Sequence, residues 1–230
     1  MPTAEAIVSA LRDEFARNAD AEDAAYMKSY MRDQFDFFGI KSPLRRQLLR
    51  SFLTKHDLPP LAKLKPLVQR LWQQPEREMQ HSAMELLQRR AKELAAGDLP
   101  LLENMITNKS WWDTVDFIAY KLVGQLLARH PEDEPTVARR YSASGNLWLI
   151  RVSILFQLLR KERTNRELLA EMIGAHRSHP DFFIRKAIGW ALRDYAKANP
   201  EWVIQFVRDT KLSPLSQREA MKNLRTTSGG

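Results

Sequence analysis

The 230-residue chain reads as an all-α protein, a helical-repeat solenoid of the HEAT or armadillo type, and three observations carry that reading. Apolar residues recur at three- and four-residue steps almost throughout, which is the spacing of one face of an α-helix. Strand-like alternation is nearly absent. Four segments also align on their apolar steps: Arg77-Gln80-Ala83-Leu87, Trp112-Val115-Ile118-Leu122, Trp148-Arg151-Ile154-Leu158 and Phe182-Arg185-Ile188-Leu192. Their first residues lie 35, 36 and 34 positions apart. Units of this length cannot bury their apolar stripes alone; they stack, and the stack curves around a concave face. A plain helical bundle is the competing architecture.

The periodicity predicts helices beginning near Ala4, Asp23, Pro43, Leu61, Glu76, Trp112, Asn146, Asn165, Asp181 and Glu201. Breaks are expected at Gly39 to Pro43, Leu58-Pro59-Pro60, Ala96-Gly97-Asp98, His130-Pro131, Ser144-Gly145-Asn146, Ser178-His179-Pro180 and Asn199-Pro200, where stop signals cluster. The short loops imply antiparallel neighbours. One domain over residues 1–225 and a frayed tail at 226–230 are expected.

The chain has no cysteine, which removes disulfides, zinc–thiolate sites, iron–sulfur clusters and thiol nucleophiles. No apolar run approaches the length of a membrane span, and the polar segment Met1 to Ala25 has no signal core. A cytoplasmic, monomeric protein is the expectation. Five scattered histidines without an acidic cluster beside them predict no metal site, and nothing calls for a cofactor. The formal net charge of +8 favours polyanionic partners through counterion release.

Three helices concentrate the chemistry. The helix expected from Trp112 to Arg129 buries Trp111, Val115, Ile118 and Leu122, and it sets Trp112 and Asp116 one turn apart at the edge of that stripe. Asp116 is then either a boundary carboxylate, solvated or paired with an arginine, or a carboxylate aimed past an aromatic wall into a groove. The helix expected from Leu147 to Arg160 is apolar nearly all round, with Arg151 in its middle. A guanidinium there needs a partner, because an unpaired buried charge costs several kcal/mol, roughly. Asp116 and a phosphate are the two candidates. The helix expected from Asp181 to Lys197 buries Ile184, Ile188, Ala191 and Tyr195, and it gathers Lys186, Trp190, Arg193 and Lys197 on one face. Nucleic acid satisfies such a face, with phosphates for the cations and a base or cation for the ring. Phe183 lies two turns before Trp190 and shares that wall. Arg45 and Arg46 form either an exposed basic edge or a phosphate contact.

These residues carry a resemblance. Lys109-Ser110-Trp111-Trp112-Asp113-Thr114-Val115-Asp116, Leu147-Trp148-Leu149-Ile150-Arg151 with Ile154-Leu155-Phe156-Gln157, and the run Phe182 to Trp190 resemble motifs of the AlkD-like DNA glycosylases, the DNA alkylation repair enzymes. So do Tyr30-Met31, Phe38-Gly39-Ile40, Pro43 with Arg45-Arg46-Gln47, and Leu212 to Ser216 with Arg218-Glu219-Ala220. The match spans nearly the whole chain in order. It implies a HEAT-like solenoid holding double-stranded DNA on a concave basic face, near the nucleoid. It implies hydrolysis of the N-glycosidic bond of N3- and N7-alkylated purines, without a tight base-flipping pocket. Carried over by position, Asp116 is the catalytic carboxylate, Trp112 and Trp190 are aromatic walls, and Arg151 is an active-site or phosphate contact. Tyr30 and Phe183 line the cleft and contact DNA; Lys186 and Arg193 are expected DNA contacts from their place on the basic helix face. The chain departs from the pattern at Leu159, where members can carry Lys, although Arg160 and Lys161 follow at once. The alternative function is a non-catalytic scaffold that binds DNA or protein, which has no need for Trp112, Asp116, Arg151 and Trp190 together.

Overall fold

A computed structural model describes residues 3–224, so the tail expected at 226–230 lies outside the described residues. Among these the secondary structure is helical, apart from one isolated backbone bridge between Asp36 and Glu76. Contacts divide the chain into two compact units, Met1–Leu94 and Ala95–Gly230.

The first unit holds α1 (Ala4–Arg17), α2 (Ala21–Tyr30), α3 (Ser42–Lys55), α4 (Leu61–Gln73) and α5 (Arg77–Gln88). Helix α1 packs on α3 and α4, and α4 packs on α5. Their apolar faces form a core that includes Leu11, Phe15, Leu49, Leu64, Leu71 and Leu87. Helix α2 differs, because none of its residues is buried. Its N-terminus is tied down through backbone instead. Asp20 N–H donates to the Phe38 carbonyl at 2.9 Å. The buried Glu78 carboxylate then accepts from the Phe38, Gly39 and Ile40 amides at 3.2, 2.9 and 3.0 Å. Gly39, at φ +86, lies so near Asp20 that a Cβ would fall 2.0 Å from its carbonyl oxygen.

The second unit holds α6 (Leu99–Thr107), α7 (Trp112–Ile118), a π-helical turn (Ala119–Val123), α8 (Gly124–Leu127), α9 (Glu134–Ser142), α10 (Leu147–Leu155), α11 (Arg166–His176), α12 (Phe182–Tyr195), α13 (Pro200–Asp209) and α14 (Pro214–Ala220). Helix α10 explains its own composition. It packs against α6, α7, α9, α11 and α12, so residues 150–158 are all buried and an apolar stripe on one side would not suffice. Helix α12 packs on α10, α13 and α14.

The repeat is sharper than the sequence alignment suggests. Helices α3, α5, α7, α10 and α12 begin at residues 42, 77, 112, 147 and 182, a constant step of 35. Residues 35 apart therefore hold the same position along successive helices of this series.

Several expected boundaries move. Asp20, not Asp23, caps α2, and it accepts the Asp23 amide at 2.8 Å. Asn146 and Asp181 are N-caps, with helices starting one residue later. The helix expected to reach Arg160 stops at Leu155; residues 156–159 form a turn, in which Leu159 takes φ +66 and gives its N–H to Asp194 at 2.6 Å. The helix expected from Trp112 to Arg129 contains the π-turn. Helices α6, α9 and α14 were not anticipated. Each carries proline in its first turn (Pro100, Pro135 and Pro214), where the missing N–H costs nothing because no intrahelical acceptor exists for it.

Candidate active site and basic face

The segment before α7 is irregular. Lys109 takes φ +52, and Ser110 Oγ closes the end of α6 on the Ile106 carbonyl at 2.6 Å. Helix α7 then begins at Trp112, with Trp111 as its N-cap. Val115, Ile118, Ala119 and Leu122 bury one side, which leaves Trp112 and Asp116 half-buried at the margin. The π-turn follows Asp116 by three residues and carries Tyr120 and Lys121. Such turns recur at functional positions in helices.

Asp116 meets Arg151. The guanidinium donates from Nε to Asp116 Oδ1 at 2.7 Å and from Nη2 to Oδ2 at 2.8 Å. A third bond runs from Nη1 to the Phe183 carbonyl at the start of α12. Arg151 is only 5% exposed. Of the two partners that the sequence left open for this guanidinium, the carboxylate holds it. A planar fork matches a carboxylate in this way and fixes its orientation.

Burial pushes the Asp116 carboxyl above the usual aspartate range, and nearby Asp113 adds to this; the Arg151 guanidinium pulls the other way. An ionised carboxylate has about four lone-pair positions. Arg151 occupies two, and the side chain keeps 14% exposure for a further donor such as water. Tyr120 feels the same carboxylate: burial, then the charge of Asp116, pushes its phenol up.

Three rings stand beside this pair. Trp111, Trp148 and Phe183 form a triangle with centroids 5.7, 5.1 and 5.1 Å apart. Phe182 lies edge-on to Phe183 at 5.6 Å. The Arg151 guanidinium is 6.0 Å from the Phe183 centroid, so the ion pair and the cluster are contiguous. The sequence marks Trp111 as core and Trp148 as part of an apolar helix and a motif, and it assigns neither a role in the site. A signal for the latter was present, since Trp148 and Phe183 are 35 apart and touch, as Asp116 and Arg151 do.

The basic face of α12 is not bare. Lys186, Trp190 and Arg193 share a side of the helix, and Trp190 is half-buried between the cations along the sequence. Glu219 of α14 reaches across, with Oε1 2.9 Å from Lys186 Nζ and Oε2 2.6 Å from Arg193 Nη1. Lys197 is paired too, with Asp194 at 2.9 Å.

In the first unit Arg45 corrects an expectation. It is 3% exposed and bound to Glu85 at 2.6 Å, so it is not an exposed basic edge; as the fourth residue of α3 it falls on the same side as buried Leu49 and Phe52. Arg46, one position round, is exposed. Tyr30 is 62% exposed and stacks on Tyr26, itself 70% exposed, at 6.5 Å and 20°. Tyr26 went unnoticed in the sequence. Leu159 is exposed. Its neighbour Arg160 turns inward, bonded to Glu134 and, at 2.7 Å, to the Gly124 carbonyl.

Other features stand apart from these residues. A cavity of about 490 Å³ in the first unit is lined by Ile7, Lys55, His56, Lys63 and Leu67 among others, none of them a predicted site residue. His130, Glu132 and Asp133 bring possible metal-ligand atoms within 4.8 Å of one another on the turn before α9. His176 bonds to Ser142 at 2.7 Å. No helix among the described residues is long and apolar enough to cross a membrane.

Comparison with known proteins gives a consistent answer. Residues 11–224 match the profile of the DNA alkylation repair enzyme family. A solved structure described as a predicted DNA alkylation repair enzyme from Enterococcus faecalis is 37% identical to the chain. It superposes with a TM-score of 0.84, covering 90% of this chain and 96% of that one. No match is found among curated proteins. With the family profile spanning nearly its whole length and a solved relative sharing its all-helical fold, this chain belongs to the DNA alkylation repair enzyme family.

Proposed function

We propose that this protein is a DNA glycosylase that hydrolyses the N-glycosidic bond of cationic N3- or N7-alkylated purines in duplex DNA. The observation that carries the reading is the Asp116 carboxylate, held by both prongs of Arg151 beside an aromatic cluster and open on one edge. The protein works as a monomer without metal or diffusible cofactor, in the cytoplasm where the nucleoid lies.

Alkylation at N3 or N7 leaves the purine positively charged. The bond from the sugar C1′ to the base breaks with its electron pair going to the base, which departs neutral and needs no general acid. Positive charge moves onto the sugar. Asp116 stabilises that charge and orients the attacking water. As the water oxygen bonds to C1′, its proton passes to the carboxylate and then to solvent. Arg151 acts on Asp116 rather than on a DNA phosphate: it sets the direction of the carboxylate and keeps the ionised form in place. Trp112 and Trp190 hold the cationic nucleotide through cation–π contacts worth roughly 0.5–2 kcal/mol each. Phe183 supports that wall, and Tyr30, Arg46, Lys186 and Arg193 contact the duplex.

The test is selectivity by charge. Duplex DNA containing N7-methylguanine releases the free base, and the same duplex containing uracil does not, since no group here protonates a neutral leaving base. Efficient uracil release contradicts the leaving-group argument. Tight DNA binding with no release of either base supports the scaffold alternative instead.

A further inference from the structure

Glu219 bridges two of the cations on the α12 face, Lys186 and Arg193. Each of its oxygens serves a different partner, Lys186 at 2.9 Å and Arg193 at 2.6 Å. Such bridging is what a phosphodiester does with its two non-bridging oxygens between a lysine and an arginine. The bridge is built in, because α14 comes unusually close to α12. Gly189 sits at the crossing, and a Cβ there would fall 2.4 Å from Glu219 Cβ and 2.9 Å from the Ser216 carbonyl oxygen. Ser216 Oγ adds a bond to the Arg185 carbonyl at 2.9 Å. The Glu219 backbone is thereby fixed on α12, and its carboxylate moves only by changing rotamer.

We infer that Lys186 and Arg193 form a phosphodiester site whose resident anion is Glu219, so that a backbone phosphate is taken up there by exchange with the carboxylate. This rests on the reading that the chain binds duplex DNA. The two cations carry +2 and Glu219 returns −1, so the face attracts a polyanion less than its sequence implies. The cations keep partial exposure (36% for Lys186 and 23% for Arg193), so a phosphate reaches them from solvent. Beside an ionised Glu219 that phosphate meets like charge; with the carboxylate rotated outward it meets both donors.

The experiment is a salt titration of binding to an undamaged duplex, read by fluorescence anisotropy. Glu219→Gln keeps the shape of the side chain and removes its charge. It binds several-fold more tightly than wild type at low salt, and its slope of log affinity against log salt steepens by about one. Between 50 and 200 mM salt that adds about a fourfold loss. Glu219→Asp, which keeps the charge but cannot span both cations, shifts the same way by less. In a Lys186→Gln, Arg193→Gln background, Glu219→Gln changes nothing. Unchanged or weaker binding by Glu219→Gln, with wild-type melting, overturns the inference and makes Glu219 a prop for the cations. A wild type that binds no duplex overturns it together with the DNA reading. Tight, salt-dependent binding without base release sinks the glycosylase reading alone.

Discussion

Asp116 and Arg151 occupy the same position in successive helices of the repeat, 35 residues apart, and their side chains close a two-bond ion pair at 2.7 and 2.8 Å. Helices α7 and α10 pack against each other, which brings these equivalent positions together. Trp148 and Phe183, also 35 apart, meet in the same way between α10 and α12. The repeat therefore does more than build a core, because it sets the carboxylate, the guanidinium and the rings against one another.

Removing one partner of the buried pair is expected to cost more than removing both. Arg151→Ala leaves an uncompensated carboxylate and lowers stability by about 3–5 kcal/mol. The combined Arg151→Met, Asp116→Leu variant recovers most of that loss. Urea denaturation of the single and double variants checks this. A double variant as unstable as the single one means the pair is not the source of the cost.

The acid limb of the pH–rate profile follows from the direction of the Asp116 shift. Burial raises its carboxyl above the ordinary aspartate range, and in the proposed mechanism the ionised form does the chemistry. The rate of base release falls as pH drops through this raised value, so the limb lies higher than for an exposed aspartate. Stability takes the opposite sign. The folded state holds the proton more tightly than the unfolded chain, so this group's contribution declines as pH rises from the unfolded value through the folded one. A rate limb at or below the ordinary aspartate range contradicts the assignment.

Gly189→Ala tests the crossing of α12 and α14. The added methyl meets Glu219 Cβ and the Ser216 carbonyl, both firmly placed. A destabilisation of about 1–3 kcal/mol is expected from overpacking, with a lower melting temperature in calorimetry. Gly174→Ala provides the control, since nothing lies within 4 Å of the position its Cβ would take. Equal melting of both variants refutes the close approach.

Much of the fold was legible because helical periodicity is a local property. The faces of α7 and α12 follow from apolar spacing, α10 shows its burial by being apolar nearly all round, and Asn146 and Asp181 mark helix entrances. The starts of α6, α9 and α14 went unread, although each has a proline in its first turn, because the same residue ends one helix or opens another and only tertiary packing decides which. The site was half legible. Asp116 and Arg151 stood out as charges on apolar helices, and their pairing was one of two open options. Glu219 and Glu85 did not stand out, since each lies far along the chain from the cation it neutralises. Arg45 was misjudged for that reason: a run of two arginines looks like a basic edge until one of them meets Glu85.

The central claim is that the Asp116 carboxylate performs the hydrolysis. Single-turnover release of N7-methylguanine from duplex DNA, compared between wild type and Asp116→Asn, tests it most directly. Loss of about 3 kcal/mol of transition-state stabilisation predicts a rate lower by on the order of a hundredfold, with duplex binding retained. Equal rates for the two proteins contradict the account.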